Sequence, residues 1–200
     1  MNYLAHFHLA RADDDWLVGA LLGDYVKGPL RGELPAGWEQ GIRLHRRIDA
    51  LSDTHPLRAQ LASGLPPPWR RYAGIVLDVC CDHWLSVQWA AWNAQPLPAF
   101  AARVYRVLAD NQTALPGNAQ RFAQRLREYD MLNSYQDWSA VPATLQRIGT
   151  RLRGRLVDAD NPLLTASAEL TAAAAGLGGD FEEFYADLHR AAGIDGAKTL

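Results

Sequence analysis

Along this 200-residue chain, apolar positions recur at three- and four-residue spacings within segments set apart by proline and glycine. No sustained alternation of apolar and polar residues marks a strand. The pattern predicts helices over about 15–27, 38–52, 66–92, 98–114, 119–132, 141–157, 162–176 and 180–192. Asp13 to Asp15 supply caps for the first of these, and Gly28-Pro29 closes it. The second ends before His55-Pro56, and Pro66-Pro67-Pro68 opens a long apolar helix running to Trp92. No internal repeat or long linker divides the chain, so the expected fold is an all-α, single-domain helical bundle over residues 1–200.

Composition narrows the classes. Hydrophobic residues make up 48% of the chain, enough for one buried core. Lys+Arg 20 against Asp+Glu 22 leaves a net charge of -2, which argues against a generic nucleic-acid binder resting on many phosphate contacts. No apolar run reaches the ~18 residues of a membrane span. The opening MNYLAHFHLARADDD lacks a basic leader and does not read as a signal peptide. Cys80 and Cys81 are adjacent, a poor arrangement for a disulfide, and lack CxxC spacing. A reduced, cytoplasmic protein is expected. Of six histidines, five (His6, His8, His45, His55 and His83) fall in the first 83 residues.

Three segments place ionisable groups on apolar stripes. Trp16, Leu17, Ala20, Leu21 and Asp24 share one face of the first predicted helix, so Asp24 should be buried and in need of a cation, a metal or several donors. On the second, Trp38, Ile42, His45, Ile48 and Asp49 share a face. His45 and Asp49, four apart, suit either a metal ligand with its orienting carboxylate or a structural hydrogen bond. Asp53 and His55 follow, and Arg43, Arg46 and Arg47 add positive charge that suits phosphate oxygens or a solvated face. The third, IVLDVCCDHWLSV, is apolar all round. Asp78 and Asp82 lie four apart on one side of it, followed by His83. Two facing carboxylates in a core repel unless a proton, an arginine or a metal neutralises them. His6 is a further candidate ligand, with His8 placed behind it, and His189 reads as a surface residue.

No glycine-rich phosphate loop, GxGxxG turn or GxSxG elbow is present. Carboxylate and imidazole ligands without thiolates favour Mn²⁺ or Mg²⁺ and also admit Fe²⁺ or Zn²⁺.

The blocks NYLAHFHLA (2–10), GALLGDYVKG (19–28), GIRLHRRIDALSDTH (41–55) and LDVCCDHWL (77–85) resemble, in order, the acyl carrier protein phosphodiesterase family, a divergent relative of the HD-type metal phosphohydrolases. The resemblance covers about residues 1–90. It implies an all-α, HD-phosphohydrolase-like fold and a divalent metal, most commonly Mn²⁺, with Mg²⁺ or Fe²⁺ as alternatives. It also implies hydrolysis of the phosphodiester joining 4′-phosphopantetheine to a serine of holo acyl carrier protein. Carried over by position, His6, Asp24, His45, Asp78, Asp82 and His83 become the candidate metal-site residues. No His-Asp dipeptide occurs in the chain, and Asp82-His83 reverses that order.

On this reading a metal acidifies water, and Asp24, Asp78 or Asp82 orients or deprotonates it. Lys27, Arg46 and Arg47 hold the phosphate. Arg147, Arg151 and Arg155, spaced by four, form a strip for an acidic carrier protein or a solvated helix face. Competing readings are a metal phosphohydrolase acting on nucleotides or another small phosphodiester, and a non-catalytic helical module that binds acidic proteins. Neither nucleic acid nor membrane is an expected partner.

Overall fold

A computed structural model describes residues 2–152, 161–165, 170, 173 and 178–193. Among the described residues there is no strand. The N-terminal segment, in which two histidines alternate with apolar residues, is a helix, α1 (Tyr3–Leu9), buried from Leu4 onward. The predicted first helix is shorter than its pattern. In α2 (Asp14–Leu22), the Asp13 carboxylate accepts from the Asp15 N–H and caps the start. The helix ends at Leu22 and Asp24 falls in the turn beyond. The second becomes α3 (Ala36–Thr54), whose buried face carries Trp38, Ile42, His45 and Ile48 as its period requires.

The long helix expected from Pro66 to Trp92 is interrupted twice. It resolves into α5 (Pro67–Arg70), after the intervening α4 (Pro56–Gly64), then α6 (Ala73–Val87) and α7 (Trp89–Trp92). Trp69 and Trp89 are both buried. On an unbroken helix of 3.6 residues per turn they would project in nearly opposite directions, and the two interruptions between them let both face the core. The remainder comprises α8 (Leu97–Asp110), α9 (Gly117–Glu128), α10 (Met131–Ser134), α11 (Ala140–Leu152) and α12 (Phe181–Ala191). Of the helix expected over 162–176, residues Pro162–Thr165 form a short 3₁₀ turn.

The buried apolar side chains form one contiguous cluster. Within it α2 and α3 approach backbone to backbone. A Cβ on Gly19 would come within 2.3 Å of the Trp38 carbonyl oxygen, and one on Gly41 within 2.5 Å of that of Trp16. The absence of a Cβ at both glycines permits the contact, which fixes the middle of α2 against the first half of α3. No helix among the described residues is long and apolar enough to cross a membrane.

Because α1 is helical, His6 and His8 diverge. His8 Nε2–H donates to the Trp92 carbonyl (3.2 Å) and Nδ1 accepts from the Tyr185 hydroxyl (2.7 Å), inside an aromatic cluster. His189, expected at the surface, is buried there as well, its Nε2 accepting from Arg11 at 3.0 Å. The amphipathic turn of α12 closing over α1 is what buries it.

Candidate functional site

Three helices bring one cluster together. His6 comes from α1, His45 and Asp49 from α3, and Asp24 from the turn after α2. His45 Nδ1–H donates to the Ala20 carbonyl at 2.8 Å, which fixes the ring and turns Nε2 toward two carboxylates. Asp49 Oδ2 lies 3.2 Å from that Nε2 and Asp24 Oδ1 lies 3.7 Å from it. The other Asp49 oxygen is 3.1 Å from His6 Nε2. The two imidazoles stack with centroids 3.7 Å apart and planes 9° from parallel. Gly23 makes the arrangement possible, since a Cβ there would sit 2.2 Å from His45 Cγ.

The electrostatics follow from burial and charge. Burial, and then the neighbouring His45 charge, push His6 down to about 4 despite its bond to Asp49. Burial alone would lower His45 too. Its hydrogen bonds to Asp24 and Asp49 outweigh that and push it up to about 9. Partial burial would raise both carboxyls. The His45 hydrogen bond overrides it at each, aided by His6, and holds Asp24 and Asp49 below the usual carboxylate range.

The cluster can hold a cation. Nδ1 of His45 is committed to a carbonyl, which leaves Nε2 facing the two carboxylates. Two neutral imidazoles with two carboxylates balance a divalent ion, and His6 Nδ1 is buried without a hydrogen-bond partner. His6, His45 and Asp49 offer ligand atoms all within 4.8 Å of one another. This donor set fits Mn²⁺, Fe²⁺ or Zn²⁺.

Asp24 is half-exposed rather than buried, because α2 stops two residues before it. It lines a cavity of about 630 Å³ whose walls include Tyr3, Phe122, Arg125, Arg147 and Arg151. Tyr3 packs its ring against that of Phe122, centroids 4.3 Å apart and planes tilted by 32°, and hydrogen-bonds Asp24.

The other candidates are engaged elsewhere. Asp82, wholly buried, accepts from the Leu4 N–H (2.9 Å) and the Ala5 N–H (3.0 Å), holding the first turn of α1. Burial, opposed by those two bonds, pushes its carboxyl up to about 7. Asp78 pairs with Arg58 at 2.9 Å, and the same guanidinium meets Ser52 Oγ (2.7 Å) and Asp53 (3.3 Å). The facing carboxylates of α6 are thus separated by function, one neutralised by an arginine and the other by helix N–H groups. His83 Nδ1–H donates to the Tyr135 carbonyl at 2.8 Å, with its ring edge-on to Trp138. Arg46 donates to the carbonyls of Val26 (2.7 Å) and Gly28 (2.8 Å), clamping the loop that carries exposed Lys27. Arg47 donates to the Ala191 carbonyl at the end of α12. Arg155 lies outside the described residues.

Comparison with known proteins decides the family. The sequence pattern of the family described as acyl carrier protein phosphodiesterase matches residues 1–188. The chain belongs to the acyl carrier protein phosphodiesterase family. It is 34% identical over 188 residues to the acyl carrier protein phosphodiesterase of Photorhabdus laumondii, covering 94% of this chain and 87% of that relative. The enzyme of that name from Klebsiella pneumoniae strain 342 is 34% identical over 196 residues, covering 96% and 97% of the two chains. That of an Enterobacter species is 36% identical over 156 residues, covering 76% and 79%. No solved structure matches.

For this family member, the residue that sequence reasoning left in a supporting place is Asp49, which reaches both imidazoles directly. Its signal was the four-residue spacing from His45. Arg125 gave no signal of its own, since only the packing of α9 beside α1 brings it to the cavity.

Proposed function

We propose that this chain is a metal-dependent phosphodiesterase, acting as one domain, that releases 4′-phosphopantetheine from the serine of holo acyl carrier protein. The observation that carries the reading is the convergence of His6, His45, Asp49 and Asp24 beside a cavity rich in arginine, in a chain belonging to a family described as acyl carrier protein phosphodiesterase. His6, His45 and Asp49 would hold the ion, with Asp24 beside them at the cavity rim. A divalent ion there would supply charge neutralisation at the phosphoryl oxygens and acidify water, with Mn²⁺ the first choice and Fe²⁺ next. Asp24, at the cavity rim beside the cluster, would accept a hydrogen bond from the attacking water and orient it. The Ala20 carbonyl keeps His45 in the tautomer whose Nε2 is free for the ion. Asp82 holds α1, and so His6, in register. The carrier protein approaches the face bearing Arg147 and Arg151.

Incubating the protein with holo acyl carrier protein and Mn²⁺, followed by mass spectrometry of the carrier protein, tests the reading. Conversion to the apo form, abolished by a chelator, is expected. An unchanged mass, or conversion indifferent to chelation, overturns it.

A further inference from the structure

The cavity beside Asp24 has a chemistry that hydrolysis at the metal cluster alone does not require. Among the described residues, no carboxylate pairs with Arg125, Arg147 or Arg151, and the only acidic side chain on its walls is Asp24. Arg147 also donates to Thr144 Oγ1 at 2.9 Å, which steadies one guanidinium at the wall. Three guanidiniums on two different helices, α9 and α11, line this one cavity and are not a strip along a single helix face. Such forks bind phosphate oxygens in pairs.

Aromatic side chains line the cavity beside these arginines. Tyr3 and Phe122 pack against one another with tilted rings, and Tyr129, largely exposed, extends the aromatic surface outward. Asn2 and Thr144 add amide- and hydroxyl-bearing groups between them. A volume of about 630 Å³ suits one small flexible ligand rather than a protein surface. The occupant indicated is an anion at one end of a slender chain of amides and methylenes.

We propose that this cavity binds the phosphopantetheine arm itself. Arg125, Arg147 and Arg151 hold the phosphate next to Asp24, and Tyr3, Phe122 and Tyr129 flank the pantetheine chain. The proposal rests on the phosphodiesterase reading for its choice of ligand. It turns Arg147 and Arg151 inward, onto the arm, where the spacing along α11 alone suggested contact with the carrier protein's surface. It also adds Arg125 as a specificity-determining residue. Arg46 and Arg47 are occupied by backbone carbonyls.

The test is calorimetric titration of free 4′-phosphopantetheine into the Mn²⁺-supplemented protein, beside pantetheine and inorganic phosphate. Phosphopantetheine should bind more tightly than either fragment. Arg125→Gln, Arg147→Gln and Arg151→Gln should each weaken it by about tenfold and leave pantetheine binding unchanged. Tyr129→Ala should weaken phosphopantetheine and pantetheine alike. Unchanged phosphopantetheine affinity in all three arginine variants overturns the proposal, as does phosphate binding as tightly as phosphopantetheine. Cleavage of holo carrier protein is read separately. If the arginines govern phosphopantetheine binding but no cleavage occurs, the arm site stands and the phosphodiesterase reading falls. If cleavage occurs while phosphopantetheine binding ignores the arginines, the arm site falls alone.

Discussion

The His45 imidazole lies flat against that of His6, 3.7 Å away, and both rings address the two oxygens of Asp49. Stacked rings this close cannot both be charged comfortably. His6 is held neutral, down to about 4, while His45 is pushed up to about 9 by its carboxylates. A divalent ion satisfies the same donors with both rings neutral. The cluster exists only in the folded chain, so Mn²⁺ at about 100 times its dissociation constant should add roughly 2.7 kcal/mol, or about 5–10 °C in Tm. Thermal scans against Mn²⁺ concentration should show that rise in the unaltered protein and none in His45→Ala. Equal rises in both would place the ion elsewhere.

Gly23 is the packing device behind His45. An added methyl would lie 2.2 Å from Cγ and 2.7 Å from Cβ of the histidine, too near the root of the side chain for a rotamer change to relieve. Gly23→Ala should keep its helical circular dichroism yet lose the Mn²⁺-induced rise in Tm. Retention of that rise would show that His45 need not sit where it does.

Asp82 gives the protein a pH signature. Its carboxyl is pushed up to about 7 in the folded chain, against 3.8 when unburied. Between about pH 4 and 7 the folded state therefore holds a proton that the unfolded state has released, so this group's contribution to stability falls as pH rises through that window. Asp82→Asn removes the titration but keeps an amide that can accept only one of the two N–H groups of α1. Denaturant unfolding at pH 5 and pH 8 should show the variant losing about 1 kcal/mol of capping and showing a flatter loss of stability from pH 5 to pH 8. The same slope in both proteins would assign the pH dependence to other groups.

Asp78 is tied to Arg58, which in turn ties it to Ser52 and Asp53 at the end of α3. Asp78→Asn should cost about 1–3 kcal/mol in chemical unfolding, as expected of a half-buried ion pair. Mn²⁺ binding should survive. Loss of bound Mn²⁺ with little loss of stability would instead make Asp78 a ligand.

Helix period alone makes much of this architecture readable. The apolar face of α3 put His45 and Asp49 together, and the 3.6-residue repeat carried the all-α fold. The same period placed Asp24 in the core, because it does not reveal that α2 ends at Leu22. For α6, spacing correctly put Asp78 and Asp82 on neighbouring turns but could not name what neutralises them. Arg58 comes from α4 and the capped N–H groups from α1, both distant in sequence. The Gly19–Gly41 crossing, which sets where Asp24 meets His45, has no hydrophobic periodicity at all. Arg125 reaches the cavity through the same kind of long-range packing.

The central claim is that the His6–His45–Asp49 cluster is the metal centre that cleaves the carrier protein's phosphodiester. Its most direct test is the initial rate of apo carrier protein formation as a function of Mn²⁺ concentration, for the unaltered protein and Asp49→Asn. Asp49 touches both imidazoles, so the variant should need more than about 100-fold more Mn²⁺, beyond the 10–100-fold cost of losing an outer partner, and its maximal rate should fall as well. The same rate at the same Mn²⁺ concentration in both proteins would contradict the account.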